Sequence, residues 1–431
     1  MKQIIIIAGC VVLAFLAGAA PKVEVRVVTD KTNAIYKVGE RIRFGIRLFE
    51  DGHPVDGKRL TYRIVGDGDL HEAGECLSTV EETVVATALQ VPGWVYIEVV
   101  LPDESGRAVA RGRIGAMADP PRIRPGGIEP ADFDAFWKRQ REALDRVPMN
   151  PRRTPVDVPE RYRADFDSFD IQLDCLGDRP VSGLLCIPKR AAARSLAALV
   201  NYHGYGIFSA HQDFSFGTNY VFFNINANGL RNKQPPDYYR AEQARLGFYP
   251  LRDVGDPEKY YMRFLFLRVL RSLDYIKTLP EWDGRNLVVQ GGSQGGAQAL
   301  VAAALEPRVS LCWSSYPAFC DLDGRRARRT PGWPVAGNAF LNDNPDVFAW
   351  IMQRTLGYFD GAFFAARIRC ETYLSTGFLD TLCSPSSVFA AYNSLPPDVV
   401  KAISTEPCGG HSAANVEGDR RIREIGLRPD R

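Results

Sequence analysis

The sequence of 431 residues carries 53 Lys and Arg against 51 Asp and Glu, a formal net charge of +2, with 45% hydrophobic and 24% charged residues. This balance describes an ordinary globular chain and gives no ground for a nucleic acid or an anionic membrane surface as partner, since either needs clustered Lys and Arg. The one cluster of note, Arg325-Arg326 with Arg328-Arg329, reads as a solvated loop, and the length exceeds what a single hydrophobic core serves, so two domains are expected.

Met1-Lys2-Gln3 is followed by an apolar run from Ile4 to Leu16 and then by Ala17-Gly18-Ala19-Ala20. One positive charge, a short apolar core and a small-residue end predict a secretory signal peptide over 1–20, hence a secreted or periplasmic protein. The run is too short for an integral membrane span, which needs roughly twenty apolar residues. Ile7-Ala8-Gly9-Cys10 also resembles a bacterial lipobox, but the apolar run continues well past Cys10, so anchoring through Cys10 ranks second. The nine Cys include no C-x-x-C pair, which leaves neither a zinc ribbon nor a redox motif and reads most of them as small buried hydrophobes.

Next come short runs with period-two alternation at 23–28, 40–48, 60–65, 83–88, 94–100 and 108–114. Turn pairs such as Asp51-Gly52, Asp67-Gly68 and Pro92-Gly93 punctuate them. Short strands at regular spacing predict an immunoglobulin-like β-sandwich over 21–118. Asp119-Pro120-Pro121-Arg122-Ile123-Arg124-Pro125-Gly126-Gly127 has the composition of a stiff linker, placed at 119–129. A helix over 133–147 then turns Phe133, Phe136, Trp137 and Leu144 to one side, which core packing explains without a substrate role.

From about residue 166 strands alternate with helices: strands at 196–202, 220–226, 286–290, 309–315, 370–376 and 399–404, with a long helix over 260–279. This is the pattern of a mostly parallel sheet. In its middle stands Gly291-Gly292-Ser293-Gln294-Gly295-Gly296, which is G-x-S-x-G between a strand and an Ala/Leu-rich helix. Glycines permit the tight turn, the hydroxyl projects above the sheet, and the helix N-terminus favours developing negative charge. A phosphate-cradling loop would need the Lys of a Walker motif, which is missing here. The expected fold of 130–431 is therefore an α/β-hydrolase.

A serine hydroxyl needs a base, normally a His held in one tautomer by a carboxylate, and on this fold the chain order is Ser, acid, His. Of five His, His411 alone lies downstream of Ser293. Asp380 follows a predicted strand at the carboxyl edge of the sheet and is the expected acid. Asp321, Asp323, Asp343, Asp346 and Asp360 fall in a polar excursion read as a surface insertion, and Asp398 stands at the wrong end of a strand. The oxyanion donors are expected to be the backbone N–H groups of Gln294 and of Tyr205, in Tyr202-His203-Gly204-Tyr205-Gly206, with His203 structural. No H-E-x-x-H or similar ligand set occurs, so neither a metal nor another cofactor is expected.

These residues carry a family resemblance. Tyr202 to Tyr205, Gly291 to Gly296, Gly377-Phe378-Leu379-Asp380 with Pro385 to Asn393, Gly410-His411, Asp256 to Tyr261 and Tyr316 to Asp321 together resemble the acetylxylan esterase and cephalosporin-C deacetylase family, carbohydrate esterase family seven. The resemblance runs from about Pro130 to the C-terminus. It implies a deacetylase of acetylated oligosaccharides or other small acetyl esters, with Ser293, Asp380 and His411 as triad, the Tyr205 and Gln294 amides as oxyanion hole, and Tyr316 and Pro317 near the substrate. Two departures stand out: Asn226-Ala227-Asn228 where the family usually has Arg-Gly-Gln, and Ser412 where Glu usually follows the His. A serine peptidase of the prolyl-oligopeptidase kind and a non-catalytic carbohydrate-binding protein with a decayed hydrolase domain are the alternatives. Homo-oligomerisation is left open. Since every candidate catalytic residue follows the linker, the β module is expected to be dispensable for chemistry.

Overall fold

Alternation of side chains across each strand explains the first part of the molecule. In Ile42–Glu50, Ile42, Phe44, Ile46 and Leu48 are buried while Arg43 and Arg47 face solvent. One sheet joins Val23–Thr29, Ile42–Glu50, His53–Pro54 and Thr83–Thr87; the other runs Ile35–Tyr36, Ala108–Ala118, Gly93–Pro102, Arg59–Gly66, Leu70–Leu77. Their inner faces share a core that includes Phe44, Ile64, Trp94, Ile97 and Met117. The strand Leu70–Leu77 is absent from the expected elements, because its side chains are largely exposed and do not alternate regularly between polar and apolar. It pairs with Arg59–Gly66 at the sheet edge, where backbone hydrogen bonds suffice and no apolar pattern is required. This computed structural model describes residues 22–427, so the signal-peptide and lipobox readings of 1–20 lie outside the described residues.

The second part is built on a nine-stranded sheet. Its order is Arg152–Pro155, Phe166–Leu173, Val181–Pro188, Tyr220–Asn226, Leu196–Tyr202, Trp282–Gly292, Leu311–Ser315, Glu371–Gly377, Lys401–Glu406. The first four are antiparallel neighbours and all later junctions are parallel. The parallel strands are the near-continuous apolar runs, as burial on both faces demands. With its flanking helices this is the expected α/β-hydrolase architecture. The helix Tyr261–Ile276 packs against Phe133–Asp145 and Gln294–Leu305. Phe133, Phe136 and Trp137 are buried there with Tyr260, Phe266 and Phe359, each buried Phe contributing about 1.5–3 kcal/mol. The expectation that these aromatics serve the core is met.

The segment 119–129, expected as a stiff linker, is anchored at several points: Ile123 is fully buried, Asn393 Nδ2 donates to the carbonyls of Pro120 and Ile123 at 2.8 and 3.0 Å, and Gly126 N donates to Asp321 Oδ1 at 2.6 Å. The reading of the Arg325–Arg329 cluster as a solvated loop fails. Arg329 is buried and its guanidinium donates to Asp321 Oδ2 at 2.9 Å, while Arg328 bonds Asp69 of the β module at 2.7 Å. The Arg cluster is thus a tie between segments far apart in sequence. All eight described Cys are unpaired, and five are buried.

Candidate active site

The strand Trp282–Gly292 delivers Ser293 into a conformation that L-residues rarely hold, φ 58° and ψ −123°. Strain of this kind costs about 1–3 kcal/mol and persists only where the surroundings over-determine it. Here Ser293 N donates to Ser315 O at 3.0 Å, and Ser293 O accepts from Ala297 N at 3.1 Å and Ala318 N at 3.0 Å. The flanking glycines are sterically required: a Cβ at Gly295 would stand 2.0 Å from Tyr202 O, and one at Gly291 would stand 2.4 Å from the Gly295 carbonyl. The helix Gln294–Leu305 starts at once, so its N-terminal N–H groups face the serine.

Asp380 stands three residues beyond the end of Glu371–Gly377 and is almost fully buried. Its Oδ1 accepts from the amides of Leu382 and Cys383 at 2.9 and 3.0 Å, and its Oδ2 lies 2.7 Å from His411 Nδ1. A carboxylate there places the ring proton on Nδ1 and leaves the Nε2 lone pair free. The two loops are stitched together, Phe378 N donating to Glu406 O and Leu379 N to Gly409 O, both at 2.8 Å. Ser293, His411, Tyr205 and Tyr316 line one cavity of about 520 Å³, with Trp333 and Leu382 among its other walls. A cavity of about 560 Å³ elsewhere, beside Asp69, Arg325 and Arg328, contains no comparable nucleophile.

Tyr316 lies with its ring centroid 4.8 Å from that of His411, and its amide donates to Ser375 O at 2.8 Å. Burial, with the Asp380 charge adding to it, raises its phenol above the usual range, so the phenol stays neutral. Pro317 is not in the cavity wall; it is buried against the helix, its Cα 3.1 Å from where a Gly296 Cβ would be. Sequence reasoning missed Cys383. It is fully buried, and burial pushes its thiol well up, the charge of Asp380 adding to the effect. Asp380, Cys383 and His411 present donor atoms within 4.8 Å of one another, a grouping no linear metal motif registers because two separate loops supply it. The Asp380–His411 hydrogen bond already engages two of the three.

The Tyr205 loop has its own scaffold. His203 Nδ1–H donates to Gly204 O at 2.6 Å and its Nε2 accepts from Ala227 N at 3.1 Å, which fixes the neutral tautomer. Burial pushes the imidazole down to about 4, as befits the structural part expected of it. Asn226 and Asn228 are fully buried. Asn226 Nδ2 donates to Phe208 O at 3.1 Å, Asn228 Nδ2 donates to Gly206 O at 3.0 Å, and Asn228 Oδ1 accepts from Tyr261 OH at 2.8 Å. The Asn-Ala-Asn departure therefore lies in the backing of the Tyr205 loop, with its polar groups paired. Tyr249 OH donates to Gln294 Oε1 at 2.8 Å and packs its ring 5.1 Å from that of Tyr205, linking the two expected oxyanion segments.

Asp360 and Asp321 are not at the surface as expected; both are fully buried. Asp360 accepts from Asp321 N, Leu322 N and Ala362 N at 2.9, 2.7 and 2.9 Å, capping the helix Gly361–Ala365. A polar, Pro-rich stretch reads as surface, but capping of irregular backbone in the interior draws on the same residue types. Burial, then the neighbouring Asp321 charge, pushes Asp360 up to about 7. An acid raised on folding holds a proton that the unfolded chain has released, so its stabilisation is full below the ordinary carboxylate range and declines as pH rises toward 7. The stability difference between wild type and Asp360→Asn, measured by denaturant unfolding, is expected to shrink between pH 4 and pH 7. A difference that is flat or grows over that window would contradict this.

The Acetyl xylan esterase (AXE1) family matches residues 121–423. The chain belongs to that family. It is a carboxylic-ester hydrolase on an α/β-hydrolase fold. The acetyl esterase Axe7A of Xylanibacter ruminicola is 26% identical over 376 residues, covering 85% of this chain and 82% of that protein. That coverage exceeds the part after the linker, so the likeness extends into the N-terminal strands. Among solved structures, the acetyl xylan esterase from Paenibacillus sp. R4 aligns with TM-score 0.61 and 26% identity, over 72% of this chain and 98% of that one. Acetyl xylan esterase 1 from Thermoanaerobacterium sp. JW/SL YS485 aligns with TM-score 0.60 and 22% identity over the same shares, a likeness of fold.

Proposed function

We propose that this family member is a secreted esterase that removes acetyl groups from carbohydrate, with Ser293 as nucleophile, His411 as general base and acid, and Asp380 as the group that orients and stabilises the imidazolium. The observation that carries this reading is the strained Ser293 sharing a cavity with a His411 whose Nδ1 is held 2.7 Å from a buried carboxylate. Ser293 Oγ attacks the acetyl carbonyl carbon as His411 Nε2 takes its proton, and the Gln294 and Tyr205 amides stabilise the oxyanion. Collapse expels the sugar alkoxide, which leaves with that proton, and an acetyl-enzyme remains. Water, deprotonated by the same nitrogen, then releases acetate. Secretion rests on the Met1 to Ala20 pattern alone.

The decayed-domain alternative drew on Asn226 to Asn228, whose groups support the Tyr205 loop, and the peptidase alternative loses ground to the family match. The test is an acetate-release screen over acetylated xylo-oligosaccharides, cephalosporin C and a simple acetyl ester. Release from the acetylated sugars is expected to be fastest; cleavage of a peptide substrate with none of these turned over would end the proposal.

A further inference from the structure

We propose that the N-terminal β module positions the acid and the base of the site, with the Trp94 indole and the Gly115 amide holding the loops of Asp380 and His411 in register. Trp94 Nε1 donates to the Phe378 carbonyl at 2.6 Å in the interior, two residues before Asp380. Gly115 N donates to the Pro407 carbonyl at 2.9 Å, four residues before His411. The approach is close: a Cβ on Gly115 would stand 2.2 Å from the Phe378 oxygen, so only glycine lets this strand lie against the acid loop. Phe378, with Phe389 and Ala390 of the helix Pro385–Ser394, belongs to the same hydrophobic core as Trp94, Ile97 and Met117 of the module.

A third tie flanks these two. Buried Asp67 accepts from Trp94 N at 2.9 Å and from Thr330 N at 2.8 Å, and also from the Ser386 hydroxyl, on the helix that follows the acid loop. The same carboxylate thus fixes Trp94 and the far end of the Asp380 turn. Both Phe378 and Pro407 lie outside the regular strands, where backbone position depends on what the carbonyls bond to. Removing the indole N–H leaves a buried carbonyl unpaired and frees the segment that sets the Asp380–His411 distance. Against the expectation from chain order, the module is then part of what the chemistry needs, although it supplies no reacting group.

The inference rests on the proposed roles of Asp380 and His411. It is tested in the full chain with Trp94→Phe, which keeps an aromatic ring and deletes the donor, beside Ile97→Val, a small cavity in the same core that leaves the Trp94 and Gly115 hydrogen bonds in place. Measured well below the melting temperature, Trp94→Phe is expected to lower kcat about 10- to 100-fold with KM within about twofold, the scale of a small misplacement of catalytic groups, while Ile97→Val keeps wild-type kcat. A wild-type kcat in Trp94→Phe, or an equal fall in Ile97→Val, would overturn the inference and leave the module as structural support only. If Trp94→Phe does not fold, Ser386→Ala is read by the same criteria. A crippled Asp380→Asn with a normal Trp94→Phe removes this inference alone; a near-normal Asp380→Asn removes the proposed roles themselves.

Discussion

Ser293→Ala is expected to fold as the wild type does and to lose acetyl-ester turnover on the order of a millionfold. Folding is preserved because alanine keeps the Cβ, so the backbone strain at φ 58° and the three backbone hydrogen bonds that impose it are unchanged. Turnover is lost because no other hydroxyl stands at the N-terminus of that helix with an imidazole across the same cavity. What remains should be the small rate enhancement that binding and oxyanion donors supply without a nucleophile. The measurements are acetate release, circular dichroism, and labelling by a fluorophosphonate, which should mark wild type and spare the variant. Acetate release within a hundredfold of wild type in the folded variant would dismiss Ser293 as nucleophile.

Asp380→Asn should cost about 10³- to 10⁴-fold in kcat with little change in KM. The geometry says why an isosteric change is so severe. The amides of Leu382 and Cys383 both donate to Oδ1, so the asparagine oxygen is held on that side and its NH2 is turned toward His411. A donor facing Nδ1 forces the ring proton to Nε2, and the nitrogen facing the serine can no longer accept. Asp398→Asn, at an exposed position, should match wild type, and Asp360→Asn should alter stability without a comparable loss of kcat. Steady-state kinetics of all three on one acetyl ester, with folding checked, decides the matter; a crippled Asp398→Asn beside a normal Asp380→Asn would move the acid elsewhere.

The catalytic half was legible because its signals are local. The strands Leu196–Tyr202 and Tyr220–Asn226 are short apolar runs between turn residues, and they match the observed elements residue for residue. The elbow announces itself through G-x-S-x-G, whose glycines are demanded by contacts within a few residues and with the neighbouring strand. His411 followed from scarcity, being the sole His after Ser293, and Asp380 from its place after a strand. Illegible were the edge strand Leu70–Leu77, whose apolar residues do not alternate regularly, and the burial of Asp321, Asp360 and Arg329, since a buried capped or paired charge has the composition of a surface loop.

Periodicity acts over a few residues and chain order needs no contact, and together they were enough to select the α/β-hydrolase and to nominate Ser293, Asp380 and His411 as candidates. Which carbonyls meet which donors across hundreds of residues is a matter of packing, and no local pattern encodes it. Trp94 and Phe378 are 284 positions apart, yet a 2.6 Å hydrogen bond joins them. Asp67 and Ser386 are separated by 319 and share one buried contact. The family resemblance of Tyr316 to Asp321 implies Pro317 near the substrate, but the fold turns it into the helix at Gly296. Contacts of this kind form only when the sheets close on one another, because the desolvation that makes a buried hydrogen bond matter does not exist until then.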